Sequence, residues 1–441
     1  MRFNTLQQWL DWQESLHLSE IELGLERVGQ VYQCLHSQAF PIPVITVAGT
    51  NGKGSSVAML ESIYSQAGYR VGSYTSPHLY HYNERIRLNQ TPVDDDLLCE
   101  SFARIDEARE KASADENDSA ISLTYFEFGT LAAFDIFHRA VQSQTLDVIV
   151  LEVGLGGRLD AVNLVDANVA LITSIGLDHT NWLGDTREAI GYEKAGIMRA
   201  NQPVVCSDTE MPESILEYAN SINAPLYQIG KAFNYQLGDI DWQWSSDNSI
   251  RTALPRPALI GEHQYRNAAG VLQVIALLQG SLPVSQSHVR QGLMDVRVDG
   301  RCQVVQGNQT IILDVSHNAE SIYSLAQIVR EMQKSQLKLN KLVKVHAIVG
   351  MMKDKAIEES LSSFSKLATQ WYLIKPPVER AAEAELLESI VVKFKPQSSQ
   401  CFANLEKAFV QCQTHAAEGD IIVVFGSFHT VSAFQLDWIC S

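Results

Sequence analysis

The sequence predicts an α/β protein in which two units each pack helices around a parallel-rich β-sheet. Two continuous apolar runs of strand length, at 146–153 and 169–175, have the composition of strands that are buried on both faces of a sheet. A third apolar run, at 42–48, ends in a glycine-rich segment that leads into a helical pattern. Beyond residue 300 the same alternation of apolar runs and helical patterns begins again, which indicates a second domain of the same class.

The elements of the first domain follow from local patterns. Residues 5–16 and 59–67 have helical periodicity, and the polar segment 106–119 is expected to be an exposed loop or the frayed end of a helix. Alternating apolar and polar residues at 235–244 surround Leu237-Gly238-Asp239 and predict a hairpin. We expect Trp242 and Trp244 to form one packed face of that hairpin.

A break near 296–300 separates the two domains. The strands predicted beyond it are 310–315, 344–349, 371–374 and 420–425. Helical patterns lie between these strands, so the smaller C-terminal unit is expected to be doubly wound, like a Rossmann fold. We therefore place one domain at about 1–297 and the other at about 300–441.

Composition limits the class of function. The chain has 441 residues, with Lys+Arg 34 against Asp+Glu 51, a formal charge of −17. Such an acidic surface repels phosphate backbones, so nucleic acid and anionic membranes are not expected partners. The seven cysteines are scattered, and the N-terminus has no apolar signal region, which together predict a cytoplasmic protein.

The segment GTNGKGS at 49–55 is predicted to bind phosphate. It lies between an apolar run and a helical pattern, where glycines let backbone N–H groups converge on an anion and the helix dipole favours negative charge. Lys53 is suited to contact the β- and γ-phosphates, although the spacing differs from the general Walker pattern. A glycine-rich turn without a ligand is the alternative.

Chemically active side chains follow the next two predicted strands. Glu152 is expected at the carboxyl end of a buried strand, where a carboxylate beside a phosphate loop suits magnesium. Asp178 and His179 follow the next strand at the same sheet edge. The sequence GLGG at 154–157 is a weak match to a dinucleotide fingerprint, because Leu159 stands where the third glycine belongs. Lys194, taken alone, has the pattern of a surface helix lysine.

Taken together, these segments resemble the folylpolyglutamate synthase/dihydrofolate synthase branch of the Mur ligase superfamily. The resemblance runs along the whole chain. Its segments include IELGLERV at 21–28, GTNGKGS at 49–55, SPHL at 76–79, ERIR at 84–87, TYFEFGT at 124–130, LEVGLGGRLDA at 151–161, LDHT at 177–180, EKAGI at 193–197, DVSHN at 314–318 and GSFHTV at 426–431. The resemblance implies a P-loop Mur-ligase-type ATPase domain with the pterin site, followed by a C-terminal ligase domain.

The resemblance also implies a role for individual residues. It assigns the nucleotide to Thr50, Asn51, Gly52, Lys53, Gly54, Ser55, Asn267, Arg301, Asp314 and His317. It assigns magnesium to Ser76, Glu152 and His179, and it matches Lys194 to a lysine that becomes carbamylated and joins the metal shell. The catalytic group would comprise Lys53, Glu152, His179 and Lys194. The pterin side would be formed by His17, Leu18, Ser19, Glu20, Thr124, Tyr125, Phe126, Glu127, Leu159, Asp160 and Ala161.

The implied activity is ATP- and Mg²⁺-dependent ligation of L-glutamate to dihydropteroate and to tetrahydrofolates through an acyl phosphate, in a monomer. A synthase that only extends the glutamate tail is one alternative. A ligase for UDP-linked muramyl precursors is another, but only residues 1–48 precede the phosphate loop. A P-loop switch protein and a nicotinamide dehydrogenase are the remaining alternatives, and neither has its usual glycine motif here.

Overall fold

The computed structural model describes residues 2–17, 19, 21–36, 38–113, 121–337, 343–394, 398–435 and 438. They cluster into two compact units. One comprises Met1–Ala258 and Tyr265–Val296, and the other comprises Leu259–Gln264 and Arg297–Ser441. Among the helices of these residues, none is both long and apolar enough to cross a membrane.

Up to residue 296 the chain alternates between helices and strands. Helices α1 to α10 are Leu6–Leu16, Glu26–Leu35, Lys53–Gln66, Asp95–Lys111, Tyr125–Gln142, Thr180–Leu183, Arg187–Ala195, Glu213–Ser221, His263–Leu277 and Gln286–Asp295. Strands β1 to β11 are Val44–Ala48, Val71–Tyr74, Ile86–Leu88, Thr91–Pro92, Val148–Glu152, Val169–Ile172, Val204–Cys206, Leu226–Gln228, Phe233–Leu237, Trp242–Ser246 and Ser249–Leu254. Short 3₁₀ helices occupy Tyr82–Arg85 and Ala161–Leu164.

An eight-stranded sheet in the order β4-β3-β2-β5-β1-β6-β7-β8 organises this unit. The neighbouring strands β2, β5, β1, β6, β7 and β8 are parallel to one another. Strands β3 and β4 form antiparallel pairs at one edge of the sheet. Every residue of β1, β2, β5 and β6 is buried, as expected for a parallel sheet that helices cover on both faces. The central strand β1 pairs with β5 on one side and β6 on the other. Because the three strands are parallel, their carboxyl ends lie at the same end of the sheet.

The second unit contains a six-stranded sheet. Its strands β12 to β17 are Gln303–Gln306, Thr310–Asp314, Val345–Val349, Gln370–Ile374, Ser399–Phe402 and Ile421–Phe425, and its helices α11 to α15 are Ala319–Leu337, Ile357–Ser362, Ala384–Phe394, Leu405–His415 and Phe428–Ser432. The order is β12-β13-β17-β14-β15-β16, with only β12 antiparallel. The predicted α/β class with parallel-rich sheets is confirmed.

The predicted strands correspond closely to observed ones, and the hairpin is also present. Strands β9 and β10 are antiparallel with Trp242 opposite Leu237, and Trp242 and Trp244 are fully buried. The helix predicted at 59–67 begins earlier, at Lys53, because the residues after the phosphate loop continue directly into α3. The sequence pattern did not indicate the first turn of this helix, because the glycines at 52 and 54 lower helix propensity.

The prediction of a loop or a frayed helix end at 106–119 is wrong for its first part. Helix α4 runs to Lys111, and Asp106 and Arg109 are buried in it. Arg109 Nη2 lies 2.8 Å from Asp106 Oδ1, and the guanidinium also lies 5.0 Å from the centre of the Trp12 ring. Charged residues therefore pair and stack inside the fold here. Residues 114–119 of the segment lie outside the described residues.

Helix α10 packs against α3 through a glycine. A Cβ atom at Gly292 would lie 2.6 Å from the Cα atom of Ile63, and the Gly292 carbonyl accepts a hydrogen bond of 2.9 Å from Ser62 Oγ. The backbones of the two helices thus approach too closely for any side chain at this position. Because α3 begins at the phosphate loop, this contact helps to fix the helix that presents the loop.

We expect Gly292→Ala to lower the free energy of unfolding by about 1–3 kcal/mol, since backbone must move to admit the methyl group. Gly280→Ala is the matched control, because a Cβ atom there would have no neighbour within 4 Å. Urea unfolding followed by tryptophan fluorescence measures both. Equal midpoints for the two variants would contradict the proposed close contact.

Candidate active site

The loop between β1 and α3 requires its glycines for steric reasons. Gly52 has φ of 89°, a left-handed conformation that side chains disfavour, and a Cβ atom there would lie 2.6 Å from Asn267 Oδ1. A Cβ atom at Gly49 would lie 1.7 Å from Thr173 Oγ1. At both positions the backbone of the loop therefore lies in close contact with residues from elsewhere in the unit.

Hydrogen bonds join this loop to the chain that leaves β6. Thr50 N donates to Ser174 O at 2.6 Å, and Thr50 Oγ1 both donates to Gly176 O at 3.1 Å and accepts from Gly176 N at 3.0 Å. Thr173 Oγ1 donates to Asn51 O at 2.7 Å. The shape of the loop therefore depends on the neighbouring strand as well as on its own glycines.

The arrangement fits a nucleotide phosphate. Lys53 is the first residue of α3, and its Nζ atom lies over the loop, 2.9 Å from Gly49 O and 3.2 Å from Thr50 O. A glycine loop that enters a helix N-terminus, with an ammonium group above it, offers backbone donors, a favourable dipole and a positive charge to an anion. Gly54 and the buried Ser55 follow in the first turn of the helix.

The predicted metal ligands lie at one edge of the sheet. Glu152 ends β5 and pairs with Val47 of β1, and Ser76 follows the end of β2, the other neighbour of β5. His179 follows β6, has φ of 52° and immediately precedes α6. Carboxylate and hydroxyl oxygens suit Mg²⁺, and imidazole suits many divalent metals, so the chemistry of this set fits a divalent ion.

Within the described ranges, no three His, Cys, Asp or Glu side chains form a group able to hold a metal. The predicted shell includes only Glu152 and His179 of these types. A complete shell would therefore use the Ser76 hydroxyl and oxygens that arrive with the nucleotide. It would also use Lys194 only if that amine carried a carboxyl group.

Lys194 is buried in α7, so the surface position suggested by its local pattern is wrong. Helix α7 packs directly on the glycine-rich segment after β5: a Cβ atom at Gly157 would lie 3.1 Å from Lys194 Cα, and one at Gly196 would lie 2.5 Å from Arg158 Cα. Burial, assisted by the charge of Lys53, lowers the pKa of Lys194 to about 7. Much of this amine is consequently neutral and nucleophilic near pH 7.

Asp160 is also fully buried. Its Oδ2 atom accepts from Leu155 N at 2.8 Å and its Oδ1 atom accepts from Val162 N at 2.9 Å, which shapes the loop after β5. Burial raises the pKa of Asp160 to about 7, opposed by these backbone hydrogen bonds. Leu159 is tied to the N-terminal region, because its carbonyl accepts from Gly24 N at 3.2 Å, and Ala161 is buried. The pterin contacts expected of these three residues stay a prediction.

The segment Thr124–Glu127 has a clear structural role. Thr124 N donates to Glu127 Oε2 at 2.7 Å and Glu127 N donates to Thr124 Oγ1 at 3.2 Å, a capping box that begins α5. The spacing Thr-x-x-Glu is a sequence signal for this cap that the functional interpretation overlooked. Tyr125 and Phe126 are only half-buried and leave aromatic surface for a ligand.

A chain of polar contacts connects the capping box to the N-terminal loop. Arg27 Nη2 donates to Glu127 Oε1 at 2.8 Å, and Arg27 also pairs with Glu22. His17 Nε2 lies 2.6 Å from Glu22 Oε2, and His17 Nδ1 lies 2.8 Å from Ser122 Oγ. Glu22 and Arg27 lie in a segment that carries the family resemblance, but the resemblance implied no role for either residue.

The other three N-terminal residues predicted on the pterin side are less informative. Ser19 Oγ donates to Ile21 O at 2.7 Å, which closes a local turn. Leu18 and Glu20, both predicted on the pterin side, lie outside the described residues.

The residues predicted to contact the nucleotide outside the phosphate loop are divided between the two units. Asn267, in α9, is buried and faces Gly52. In the second unit, Asp314 ends β13, and its carboxylate accepts from Cys302 N at 2.7 Å and from Ser316 N at 2.8 Å. The Arg301 guanidinium lies 5.4 Å from the Phe428 ring centre.

His317 shares the aromatic neighbour of Arg301. The ring centres of His317 and Phe428 are 6.3 Å apart, and His317 Nδ1 donates to Val315 O at 2.9 Å. That bond orients the imidazole by a backbone group, independently of any ligand. Arg301, Asp314 and His317 thus lie near the carboxyl ends of the adjacent strands β13 and β17.

The chain matches known proteins along almost its whole length. Residues 300–428 match the family model "Mur ligase, glutamate ligase domain". The dihydrofolate synthase/folylpolyglutamate synthase of Escherichia coli strain K12 is 40% identical over 429 residues, 97% of this chain and 94% of the relative. The structure of E. coli FolC in complex with DHPP and ADP has a TM-score of 0.86 and 40% identity, and covers 97% of this chain and 96% of that one.

A Yersinia pestis bifunctional folylpolyglutamate synthase/dihydrofolate synthase, complexed with AMPPNP and Mn ion, has a TM-score of 0.85 at 40% identity over 97% of both chains. The fold and site define an ATP-dependent carboxylate–amine ligase that uses a divalent metal ion. More particularly, the chain belongs to the dihydrofolate synthase/folylpolyglutamate synthase family of the Mur ligase superfamily. It ligates glutamate to folates at the expense of ATP.

The pKa of Lys194 predicts a pH dependence of stability. Between about pH 7 and the ordinary lysine value of 10.5, the unfolded chain holds a proton on Lys194 that the folded chain largely lacks. Unfolding then takes up a proton, so the free energy of unfolding contributed by this group rises with pH in that window. Lys194→Met removes the titrating group and this part of the slope.

Urea unfolding from pH 7 to 9, in EDTA and buffer depleted of CO₂, measures the effect. We expect wild type to gain stability relative to Lys194→Met as the pH rises. The exposed Lys231 supplies the control Lys231→Met, which should follow wild type. Parallel curves for wild type and Lys194→Met would show that Lys194 titrates normally.

Proposed function

We propose that one site performs two glutamate ligations, one onto dihydropteroate and one onto the growing tail of reduced folates. The observation that carries the proposal is the position of the glycine loop at 49–52. The loop is hydrogen-bonded to the chain that leaves β6. It follows β1, which pairs with β5, the strand that ends at Glu152. The names of the relatives, which join both activities, support it. The predicted division into domains at about 1–297 and 300–441 belongs to the same proposal.

The reaction begins with activation of a carboxylate. Transfer of the γ-phosphoryl group from ATP to a carboxylate oxygen forms an acyl phosphate and ADP. The α-amine of glutamate then attacks the carbonyl carbon, loses a proton and expels phosphate. The ammonium of Lys53 neutralises charge on the transferring phosphoryl group, and the loop around Gly52 holds the neighbouring phosphates.

Ser76, Glu152 and His179 are proposed to hold the magnesium ion. When bound, the metal supplies charge neutralisation on the phosphoryl oxygens. The protein positions this donor set through strand order, because each residue ends or follows a strand near the middle of one sheet.

Lys194 is proposed to react with CO₂. Its neutral nitrogen attacks the carbon, an N–C bond forms and one proton leaves, so that a buried amine becomes an anionic carbamate with two oxygens. The pKa of about 7 supports this step, because it supplies the neutral amine near physiological pH. The nearby ammonium of Lys53 would then face an anion instead of a second cation.

The pterin-side assignment covers His17, Ser19, Tyr125, Phe126, Leu159 and Asp160. Thr124 and Glu127 are included through the capping box that they form, and Ala161 is buried beside Asp160. The half-buried rings of Tyr125 and Phe126 suit stacking on a flat heterocycle. Nucleotide contacts are proposed for Asn267, Arg301, Asp314 and His317. We further propose that the protein acts as a monomer in the cytoplasm on small-molecule substrates.

Phosphate release from Mg·ATP and L-glutamate tests the proposal, with 7,8-dihydropteroate and tetrahydrofolate compared as acceptors. Release with each acceptor, dependent on glutamate, supports both ligations. Release with tetrahydrofolate alone would restrict the protein to tail extension. Mass spectrometry of the product identifies the added glutamate.

We expect Lys53→Ala to reduce ligation at least a hundredfold while the fold is retained, because the loop keeps its backbone but loses the charge above it. Far-ultraviolet circular dichroism checks the fold, and Lys231→Ala is the matched exposed-lysine control. Turnover of Lys53→Ala within about threefold of wild type would exclude this role for Lys53.

We expect Glu152→Gln to raise the magnesium concentration needed for half-maximal ligation about tenfold or more, since an amide is a weaker ligand than a carboxylate. The measurement is a magnesium titration at saturating ATP and glutamate. The substitution also keeps the side-chain volume at this buried position. An unchanged magnesium titration would place Glu152 outside the metal shell.

A further inference from the structure

Asp208 is a buried carboxylate that closely follows strand β7. The residue is only 4% exposed, and it comes two positions after Cys206, which pairs with Ile172 at the end of β6. Like Glu152 after β5, it therefore lies at the carboxyl end of a parallel strand in the same sheet. An acid at this end of a sheet could bind a ligand or could hold other parts of the protein. Its contacts distinguish the two roles.

Both oxygens of Asp208 are engaged with donors of the protein. Oδ2 accepts a 2.6 Å hydrogen bond from Ile175 N, and Oδ1 accepts one of 2.8 Å from Glu210 N. Arg187 Nη2 lies 3.2 Å from each of the two oxygens. The carboxylate is thus paired with a guanidinium and bonded to two backbone N–H groups. These contacts indicate that Asp208 holds other groups in position.

Ile175 lies between the two residues that hold the phosphate loop. Ser174 O accepts from Thr50 N at 2.6 Å, and Gly176 N donates to Thr50 Oγ1 at 3.0 Å. The N–H group of the intervening Ile175 donates to Asp208. The segment 174–176 is therefore bonded to the phosphate loop through its first and last residues, and to Asp208 through its middle residue.

The Asp208 side chain takes the place of a strand partner at this point. Between β6 and β7, Ser207 N donates to Ile172 O at 2.9 Å, whereas three residues further along the chain Ile175 N donates to a side chain. Ile175 is buried, with 4% of its surface exposed. Without the carboxylate its N–H group would be a buried donor with no acceptor, so we expect the segment to shift.

Asp208 is itself fixed independently of any ligand. Arg187 is the first residue of α7, the helix that carries Lys194. Besides its contact with Asp208, Arg187 donates from Nη2 to Glu210 O at 2.8 Å, and its Nη1 atom lies 3.1 Å from Glu210 Oε2. The start of α7 and the turn after β7 therefore hold the carboxylate from two directions. A carboxylate held in this way can fix the position of Ile175.

We propose that Asp208 is a positioning residue for ATP: through Ile175 it fixes the segment 174–176, which in turn fixes the phosphate loop. The inference rests on the proposed role of that loop in binding the nucleotide. Asp208 contacts neither substrate nor metal in this proposal. Because it acts through two backbone segments that lead to the phosphates, its loss should weaken nucleotide binding more than acceptor binding.

Steady-state kinetics of Asp208→Ala test the proposal, with dihydropteroate as acceptor. We expect the KM for ATP to rise about tenfold, within the range for a lost charged hydrogen bond, and the KM for dihydropteroate to stay within about twofold of wild type. Asp208→Asn keeps the side-chain volume and one acceptor oxygen but loses the charge, so its KM for ATP should rise about threefold. A purely structural role would lower the amount of folded enzyme, and hence the apparent kcat, without changing the KM for ATP.

Asp135→Ala is the matched control. Asp135 is also buried and also accepts from an arginine, with 3.0 Å between Arg104 Nε and Asp135 Oδ2. It lies in α5, and the other partner of its carboxylate is His36, at the end of α2. This variant should lower the melting temperature, while its KM for ATP stays within about twofold of wild type.

Hydrogen exchange followed by mass spectrometry measures the loop itself, without substrates. Peptides that cover residues 49–55 and 173–176 should exchange faster in Asp208→Ala than in wild type, and at the wild-type rate in Asp135→Ala. The proposal is overturned by unchanged exchange in both peptides, by an unchanged KM for ATP in Asp208→Ala, or by an equal rise in Asp135→Ala. Should Asp208→Ala fail to fold, an unchanged KM for ATP in Asp208→Asn overturns it.

Calorimetric titration with AMPPNP and magnesium separates this inference from the proposed function. Weaker binding in both Lys53→Ala and Asp208→Ala is the expected result. Unchanged affinity in Lys53→Ala would show that the loop does not bind the nucleotide as proposed, and both the function assigned to the loop and the inference would fail. Weaker binding in Lys53→Ala with wild-type affinity in Asp208→Ala would retain the role of the loop and reject that of Asp208.

Discussion

The close approach of the phosphate loop to the exit of β6 is the contact on which the site depends. There is no room for a Cβ atom at Gly49 beside Thr173, and Thr50 and Asn51 use their polar groups to hold the same strand exit. This contact sets where α3 begins and therefore where Lys53 is presented. It also places the loop next to β5, whose last residue is Glu152. A change in this packing would move the phosphate loop and the acidic group together.

Much of the fold could be predicted because its sheets are buried on both faces. Parallel strands such as β5 and β6 appear in the sequence as continuous apolar runs, and the glycine loop after β1 has a recognisable composition. The buried charges of α4 could not be recognised in this way. Asp106 and Arg109 resemble surface residues until their mutual ion pair and the stacking on Trp12 are known.

The site could be predicted in part, and the reasons differ from residue to residue. The apolar run was sufficient to place Glu152 at the carboxyl end of β5, because the end of a buried run is visible in the sequence, whereas its role as a metal ligand stays a prediction. Lys194 required knowledge that α7 lies against Gly157 and Arg158, a long-range contact that local patterns do not contain. The cap formed by Thr124 and Glu127 was detectable, but its familiar spacing was read only as part of a ligand site.

The order of the strands has a consequence for biosynthesis. Among the described strands, β1 pairs with β5 and β6 alone, so in this sheet Val47 can pair only after Glu152 has been made, and Ala48 only after Ile172. On the ribosome, the glycine loop can take its final shape only after residues up to Gly176 have left the exit tunnel. Binding of ATP to this loop therefore cannot stabilise the nascent chain before that point in its synthesis.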